Sequence, residues 1–413
     1  MMQRTLGMWP AIAGVCFLAA ATVSAGGEAA GTAPAAPKPE QAAPAAGTAP
    51  GTAQRDVSLL LESKAAADRA LRYLKGTQKP DGSWQGDPAI TGLVVTAMVG
   101  SGQEDMGPES EIVGKALSYI RSFAKPNGGI YGNFYPSYTT SICAMALLEA
   151  GLPEDRDLLK KARSFLLESQ ADESQDIAKS DPQYGGWGYE KDASGAATHR
   201  PDLSNTQFAL ETLKNLEAVA QEDVAAAGTG QNAQTRTELA YDRAIVFLQR
   251  CQNLKAYNDQ PWATNDGGFV YKPGESKAGE DDGGGLRSYG GMTYAGLKSM
   301  IYARLKKDDP RVVAAFDWIR RHWTVTENPE LGEQGLYYYY LTMARALSAY
   351  GVEAVVDAQG RSHDWRRELV AQLLKVQRAD GSWANTNGRW MEQIPDLTTA
   401  YCLLAIENAS RKW

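Results

Sequence analysis

The chain has 413 residues and a formal net charge of −7, from 42 Lys and Arg against 49 Asp and Glu. A mildly acidic chain is a poor match for nucleic acid, so no nucleic-acid partner is expected. The hydrophobic share of 43% is ordinary for a soluble globular protein, and the length suffices for one large core.

The N-terminus predicts an export signal followed by a tether. Arg4 precedes an apolar run over residues 9–23, and Val23-Ser24-Ala25 is a small-residue cleavage site. Residues 26–55 are mostly Ala, Pro and Gly and cannot bury enough apolar surface to fold. We therefore expect a signal peptide at 1–25, a disordered linker at 26–55 and a folded domain at 56–413. The mature protein is expected to be secreted or periplasmic, and the tether would allow it to stay close to a membrane.

Six copies of a helical hairpin follow the linker. The first copy turns at Gln78-Lys-Pro-Asp-Gly-Ser-Trp84, and the last turns at the near-identical Gln377-Arg-Ala-Asp-Gly-Ser-Trp383. In each copy an amphipathic helix precedes the turn and an almost wholly apolar helix follows it. The four copies between them have more degenerate turns: Asn127-Gly-Gly-Ile-Tyr131, Tyr184-Gly-Gly-Trp187, Asp266-Gly-Gly-Phe269 and Glu333-Gln-Gly335.

This pattern predicts an all-α fold in which six hairpins close into an (α/α)6 toroid. An apolar helix needs cover on all sides, whereas an amphipathic helix needs it on one, so the apolar helices should form the inner ring. An open solenoid is the alternative, but it would need polar capping repeats at both ends. The terminal copies look like ordinary members, which favours closure.

The cysteines and histidines predict neither a disulfide framework nor a metal site. Three cysteines fall in the folded domain, and Cys143 and Cys402 occupy the same position of their apolar helices. Buried free thiols are therefore expected. The three histidines are far apart in sequence and no Cys-x-x-Cys is present. We expect no metal and no cofactor.

The Gln-x-x-x-Gly-x-Trp turns resemble the QW motif of the squalene-hopene and oxidosqualene cyclases, and the related repeat of protein prenyltransferase β subunits. The resemblance extends from about residue 57 to the C-terminus. It implies a toroid with a ligand in its central cavity. In the family, the Gln and Trp tie the end of the outer helix to the next turn, so Trp84 and Trp383 are expected to be structural.

The chain departs from both standard chemistries of the family. Triterpene cyclases protonate an alkene with Asp-x-Asp-Asp at the start of an inner helix, and the matching segment here, Asp202-Leu-Ser-Asn205, keeps only the first carboxylate. The prenyltransferases hold zinc with Asp, Cys and His. The run over 267–274 resembles theirs, but Gly290-Gly291 stands where the family has its His. Without the full ligand set, zinc is not expected.

Three carboxylates are the candidate acids. Asp202 follows a proline at a helix start, so it is either an N-cap or an acid facing the cavity. Asp281 and Asp282 lie in a long insertion of the fourth repeat. They form either a solvated acidic loop or a flap over the ring mouth that could protonate a ligand or bind a cation.

Aromatic residues gather in the inter-helix turns and in the run 337–340, which predicts an aromatic-lined pocket at one mouth of the ring. Core packing is the alternative for part of that run. Arg200 and Arg287 precede inner helices and could neutralise an anionic ligand, or lie on the surface. The aromatic ligand-binding candidates are Tyr135, Trp187, Phe269, Tyr338, Tyr339 and Trp390.

We interpret the chain as an exported toroid that binds an apolar, isoprenoid-type molecule or a peptide in its central cavity. Catalysis stays open at this point. A cyclase-like isomerase with a non-standard Asp acid is one alternative. A carbohydrate-active toroid is another, and it would need two carboxylates at a suitable separation. Covalent capture, as in complement-type thioester domains, is excluded because no Gly-Cys-Gly-Glu-Gln occurs.

Overall fold

The computed structural model describes residues 50–189, 200–219 and 230–410, and in this part of the chain the fold is all-α. Apart from a two-residue antiparallel pair, Val355–Val356 with Ser362–His363, the named elements there are helices. The α-helices are α1 Pro50–Thr77, α2 Pro88–Gly100, α3 Glu111–Arg121, α4 Pro136–Ala150, α5 Arg156–Glu168, α6 Leu203–Asn215, α7 Gly230–Cys251, α8 Gly290–Tyr302, α9 Pro310–Arg321, α10 Leu336–Tyr350, α11 Trp365–Val376 and α12 Pro395–Ser410.

Local sequence explains where many of these helices begin. The side chains of Asp87, Ser110, Asp309 and Asp364 accept backbone N–H groups in the first turns of α2, α3, α9 and α11. Proline occupies the first position of α2, α4 and α9, where a missing N–H costs nothing. The six hairpins predicted from the turns are therefore present as α1–α2 through α11–α12.

The even-numbered helices form a closed inner ring. Each one contacts the next, from α2 through α4, α6, α8 and α10 to α12, and α12 contacts α2. The odd-numbered helices pack outside against the members of this ring. Inner helices are buried almost throughout, as in α2 and α12, whereas outer helices bury a single stripe, as in α3 and α5. The contacts between helices therefore match the predicted arrangement, with apolar helices inside and amphipathic helices outside.

In four repeats, a glutamine at the end of the outer helix joins neighbouring hairpins. Gln78 Nε2 donates to its own turn at Gly82 O (3.0 Å) and to Ile112 O of the next outer helix (2.8 Å). Gln252 repeats this pattern with Gly267 O (2.9 Å) and Arg311 O (2.8 Å). Each amide therefore satisfies one carbonyl in its own repeat and one in the next repeat.

The aromatic or aliphatic residue that closes each turn is fully buried. Trp84, Trp187 and Trp383 donate their indole N–H to a carbonyl near the end of the preceding outer helix, at 2.7–2.9 Å. Ile130 and Phe269 fill the same position in two other turns, and none of the five exposes measurable surface. The backbone N–H of each donates to a threonine hydroxyl of the following inner helix. This position is structural in every repeat that has it.

The last repeat is joined to the first in the same way. Gln377 Nε2 donates to Gly381 O and to Ala66 O of α1, both at 2.9 Å. At the start of α12, Asp396 accepts the Thr77 hydroxyl at 2.9 Å and the Gln85 amide at 2.6 Å. The seam of the ring therefore has the contacts of an internal junction.

The cysteines and the N-terminal segments can also be compared with the sequence predictions. The three cysteines of the described part are buried and unbridged, as expected. The signal peptide at 1–25 and most of the linker at 26–55 lie outside the described residues. Helix α1 already begins at Pro50, inside the range assigned to the linker. In the part of the chain that the structure describes, no helix is long and apolar enough to cross a membrane.

Candidate functional site

The first turns of all six inner helices, together with the loops before them, surround one cavity of about 640 Å³. Because these helices run in the same direction through the ring, their N-terminal ends meet at the same end of the molecule. The lining residues used below are Asp87, Tyr135, Tyr138, Tyr189, Arg200, Asp202, Ser204, Tyr271, Lys272, Tyr289, Gly335, Tyr338, Trp390, Met391, Glu392 and Tyr401.

Tyrosine rings dominate the wall. Tyr138 of α4 and Tyr338 of α10 each pack against Phe208 of α6, with ring centroids 5.4 and 6.4 Å apart. Tyr338 also meets Tyr401 of α12 at 6.1 Å, and Tyr138 meets Tyr189 at 6.4 Å. Tyrosines of three inner helices therefore line the cavity, and Phe208 of a fourth, outside the lining, connects Tyr138 with Tyr338. Such a surface suits an apolar molecule or a cation.

The wall hydroxyls are largely occupied by one another. Tyr338 Oη lies 3.2 Å from Ser204 Oγ and accepts the Gln207 amide at 3.2 Å. The Tyr138 and Tyr401 hydroxyls hydrogen-bond to each other. Burial raises the pKa of Tyr138 to about 12, so this ring stays neutral. A ligand in the cavity would therefore contact mainly the carbon atoms of the aromatic rings.

Asp202 is both a helix cap and a cavity carboxyl. Its Oδ1 accepts the Asn205 backbone N–H at 2.9 Å and its Oδ2 accepts the Asn205 side-chain amide at 2.7 Å. The Tyr271 hydroxyl hydrogen-bonds to the same carboxyl. Only 1% of Asp202 is exposed, and this burial raises the pKa of the carboxyl to about 6 despite the hydrogen bonds. Asp202 is therefore both the helix N-cap and the cavity carboxyl that the sequence analysis gave as alternatives.

Glu392 is a second buried carboxyl on the cavity wall. It lies at the end of a short turn, Arg389–Met391, and is 1% exposed. Its Oε1 accepts the backbone N–H of Tyr338 at 2.8 Å, and its Oε2 accepts the Asn385 amide at 2.8 Å. It therefore caps α10, whose own preceding residue, Gly335, has no side chain to do so. Burial raises the pKa of Glu392 to about 7.

Three other charged side chains reach the cavity. Asp87 is half-buried and caps α2 through the backbone N–H groups of Ala89 and Ile90. Lys272 is held by Glu275, with Nζ 2.8 Å from Oε2. Arg200 is exposed. The two well-buried carboxyls therefore have no buried cation beside them in the described wall.

The rim of the cavity consists of strained aromatic loops. Tyr135, Trp390 and Met391 all have positive φ, between 57° and 65°, which is costly for side chains with a Cβ. They are 39%, 41% and 50% exposed. The Trp390 ring lies against the Cα side of Gly335, where a Cβ would come within 2.9 Å of the ring. The backbone thus holds large apolar side chains at the mouth.

A buried ion cluster lies further along the inner helices than the aromatic wall. Lys298 Nζ lies 2.6 Å from Glu211 Oε2, and Arg345 Nη1 lies 2.9 Å from the same oxygen. Lys298 also lies over the ring of Phe208, 5.8 Å from its centroid. Burial lowers the pKa of Lys298 to about 8. This carboxylate, unlike those of the cavity, is paired twice.

Five of the eleven predicted site residues line the cavity: Tyr135, Arg200, Asp202, Tyr338 and Trp390. The other six do not, which corrects their expected placement. Trp187 and Phe269 are buried on the far side of their turns, in the structural position shared with Trp84. Tyr339 points away from the cavity and its hydroxyl donates to Thr324 O at 2.6 Å.

The remaining three corrections concern the insertion of the fourth repeat. Asp281, Asp282 and Arg287 are exposed and lie outside the lining. Asp281 accepts the backbone N–H groups of Gly283 and Gly285 and so stabilises its own turn. The insertion meets the cavity instead through Tyr271 and Lys272.

Several lining residues were not among the predicted ones, above all Glu392, Tyr138 and Tyr401. Tyr138 and Tyr401 could have been found, because each lies two or six residues after the proline that opens its inner helix, on the face shared with Tyr338. Glu392 has no such signal, since its role depends on a helix 54 residues away. In the described part, no three His, Cys, Asp or Glu side chains are grouped to hold a metal.

Comparison with solved structures identifies the fold. MstE, a type II terpene cyclase from Scytonema in complex with geranylgeranyl dihydroxybenzoate (substrate), matches 86% of this chain and 98% of its own, with a TM-score of 0.53 and 14% identity. The same cyclase in complex with merosterolic acid A (product) matches equal shares with a TM-score of 0.51. The fold is that of a terpenoid cyclase. At this identity the terpenoid cyclase likeness concerns the architecture alone.

Curated sequences give the same superfamily over shorter stretches. Squalene–hopene cyclase from Alicyclobacillus acidocaldarius is 32% identical over 164 residues, and lanosterol synthase erg7A from Aspergillus fumigatus is 32% identical over 130 residues. The matches span 37% and 26% of this chain, and only 24% and 16% of those two proteins. No family model matches the chain. The terpenoid cyclase-like resemblance that the turns predict is thus confirmed.

Proposed function

We propose that this chain is an exported protein whose ring cavity binds an apolar, isoprenoid-type molecule. The observation that carries the proposal is the aromatic wall, in which tyrosines of three inner helices line the cavity and two of them pack against Phe208 of a fourth. The cavity volume lies within the range of about 300–1,000 Å³ that is usual for small-molecule sites. MstE, which shares the fold, holds a geranylgeranyl compound.

The occupied hydroxyls favour an apolar ligand over a sugar. A carbohydrate needs many free hydrogen-bonding partners, whereas Tyr138, Tyr338 and Tyr401 direct theirs toward one another or toward Ser204 and Gln207. An apolar chain leaves these internal hydrogen bonds intact and gains roughly 25 cal/mol for each Å² of carbon surface removed from water. Two carboxyls do face the cavity, so maltotriose is a suitable competitor in the test.

Binding is tested with geranylgeraniol against maltotriose, by quenching of tryptophan fluorescence and by calorimetry. We expect geranylgeraniol alone to bind. Trp390→Ala should weaken it by about tenfold, because the ring loses its contact at the mouth. Tyr257→Ala is the matched control, since Tyr257 is 38% exposed and lies outside the lining. Binding of maltotriose alone, or of neither compound, would refute the proposal.

A cyclase-like isomerase is the second candidate, and the buried carboxyl of Asp202 is the observation that favours it. With a pKa of about 6, Asp202 keeps its proton in about a tenth of the molecules at pH 7, far more than an exposed aspartate would. Transfer of that proton to a trisubstituted alkene would form a C–H bond and leave a carboxylate and a carbocation. Attack by a second alkene closes a ring, and loss of a proton yields an isomer of the substrate.

This candidate is tested by incubating the protein with geranylgeranyl dihydroxybenzoate and with squalene, followed by mass spectrometry of the extract. We expect no cyclic triterpene from squalene, because Ser204 and Asn205 replace the two carboxylates that follow in the Asp-x-Asp-Asp motif. If geranylgeranyl dihydroxybenzoate is isomerised, Asp202→Asn should abolish turnover while geranylgeraniol binding persists. Turnover that survives in Asp202→Asn would exclude Asp202 as the acid.

A further inference from the structure

Two buried carboxyls of the cavity wall have no cation beside them. In the described residues, four buried carboxyls outside the cavity are paired with cations: Asp155 with Arg121, Asp172 with Arg243, Glu211 with Lys298 and Arg345, and Asp357 with Arg361 and His363. A fifth, Asp396, is held instead by the Thr77 hydroxyl and the Gln85 amide, and it does not line the cavity. Asp202 and Glu392 are equally buried, and their partners are amides, backbone N–H groups and a tyrosine hydroxyl. A buried carboxylate without a cation is costly.

We infer that the ligand of this cavity is a hydrophobic cation, an amine or quaternary ammonium ion carried on an apolar chain. The inference rests on the proposed function and specifies its ligand. The ligand cation would supply the positive charge that Asp202 and Glu392 lack. Its apolar chain would lie on the tyrosine wall between them.

The aromatic wall provides the second half of this recognition. Tyr338 lies next to both carboxyls, since its hydroxyl meets Ser204 beside Asp202 and its backbone N–H donates to Glu392. Its ring neighbours, Tyr401 and Phe208, continue the aromatic surface. Ring faces attract an ammonium group by about 0.5–2 kcal/mol, and more when water is excluded. Carboxyls flanking an aromatic surface therefore favour a cation over a neutral head group.

The other groups around the two carboxyls do not already provide that charge. The N-terminal ends of α6 and α10 contribute partial positive charge, yet the pKa of each carboxyl is still raised, so burial outweighs them. Arg200 is exposed at the mouth, and Lys272 is held by Glu275. Arg389 is exposed at the rim, over the ring of Trp390. The remaining titratable neighbours are Asp87, Tyr138, Tyr189, Tyr271, Tyr289, Tyr337, Tyr338, Tyr340, Tyr401, Cys251 and Cys402.

Charge linkage makes the inference pH-dependent. A bound cation favours the ionised carboxyls, so binding should release protons and tighten as the pH rises from 5.5 to 8. A neutral chain of equal length should show no such dependence. An anionic chain would pair with Arg200 instead, and it should bind more weakly as the carboxyls ionise.

The experiment compares decyltrimethylammonium, 1-decanol and decanoate by calorimetry on the full-length mature protein at pH 5.5 and pH 8. At pH 8 we expect the cation to bind about tenfold more tightly than decanol, and the preference to shrink at pH 5.5. Asp202→Asn and Glu392→Gln should each reduce the preference while leaving decanol affinity unchanged. Asp281→Asn, at an exposed carboxyl outside the cavity, should leave both unchanged.

Three other binding results would contradict either the inference or the proposed function. Equal binding of the three probes at both pH values overturns the inference but leaves the proposed apolar site standing. A preference for decanoate overturns it in favour of Arg200. Failure of all three probes overturns the proposed function itself. If a cavity variant does not fold, the pH dependence of the wild-type protein decides the matter.

Discussion

Asp202 shows how a structural role and a chemical one coincide in one side chain. An aspartate after a proline at a helix start is ordinarily a cap, and Asp202 does cap α6. The helix it caps begins at the cavity, however, and the carboxyl is buried in the cavity wall, away from bulk water. The hydrogen bonds that fix its orientation are too few to offset that desolvation, and its pKa stays raised.

The raised pKa predicts a pH-dependent effect of Asp202→Asn on stability. The folded protein holds this proton more tightly than the unfolded chain, whose Asp pKa is about 4. The carboxyl therefore opposes folding increasingly as the pH rises from about 4 to 6, and its cost is complete near pH 8. Asparagine keeps the cap without the charge. Asp202→Asn should stabilise the fold by about 1 kcal/mol at pH 4.5 and by about 3 kcal/mol at pH 8.

Urea unfolding of both proteins at the two pH values measures this. Asp281→Asn is the control, because Asp281 is an exposed carboxylate outside the cavity. A variant that is less stable than wild type at pH 8 would mean that the ionised form of Asp202 is favoured in the fold.

At the scale of the element, the turn between the two helices of a hairpin is the recurring unit of this architecture. One buried residue, one glutamine and one threonine recur around it, and together they connect the outer helix, the inner helix and the next hairpin. The proximity of Trp383 to the carbonyl of Leu373, at 2.9 Å, is typical of these contacts.

Trp383→Ala should therefore destabilise the protein by about 3–5 kcal/mol, since it removes a fully buried indole and leaves a cavity in the turn. Thermal unfolding measures the loss. Trp390→Ala is the contrasting variant, because that ring is 41% exposed and its removal should change stability by less than about 1 kcal/mol. A Trp383→Ala protein of wild-type stability that has lost ligand binding would contradict the structural assignment.

The hairpins and their order could be predicted because each turn carries its own chemistry within a few residues. The side on which an aromatic residue lies is harder to read. Trp187 and Phe269 share the turn position of Trp84 and Trp383, so treating the position uniformly would have placed them in the core. Glu392 could not be predicted, because it caps a helix 54 residues away in the sequence, and the two come together only in the folded ring.

At the scale of the whole molecule, closure makes the seam between the last and first repeats equivalent to any other junction. Gln377→Ala at the seam and Gln252→Ala inside the ring should each cost about 1–3 kcal/mol, because each leaves two carbonyls without their donor. Chemical unfolding of the two variants tests this equivalence. A seam variant with no measurable loss, beside a destabilised internal variant, would indicate an open solenoid.

Export is a further prediction at this scale. Protein recovered from the producing cell should begin near Gly26, because Val23-Ser24-Ala25 has the small side chains that a signal peptidase accepts. N-terminal sequencing of the extracytoplasmic fraction measures it. Intact Met1 in a cytoplasmic fraction would show that the segment is not a cleaved signal.

A glycine in the turn helps to set the curvature of the ring. Gly82, Gly267 and Gly381 have φ between +86° and +90°, and a Cβ on any of them would come within 2.6 Å of a carbonyl oxygen on the next outer helix. The absence of a Cβ at these three turns therefore sets how closely one hairpin approaches the next, and the steps between the six hairpins must together complete a circle. A methyl group at one turn would widen one step, and the resulting angular misfit would be shared around the circumference rather than confined to the substituted turn.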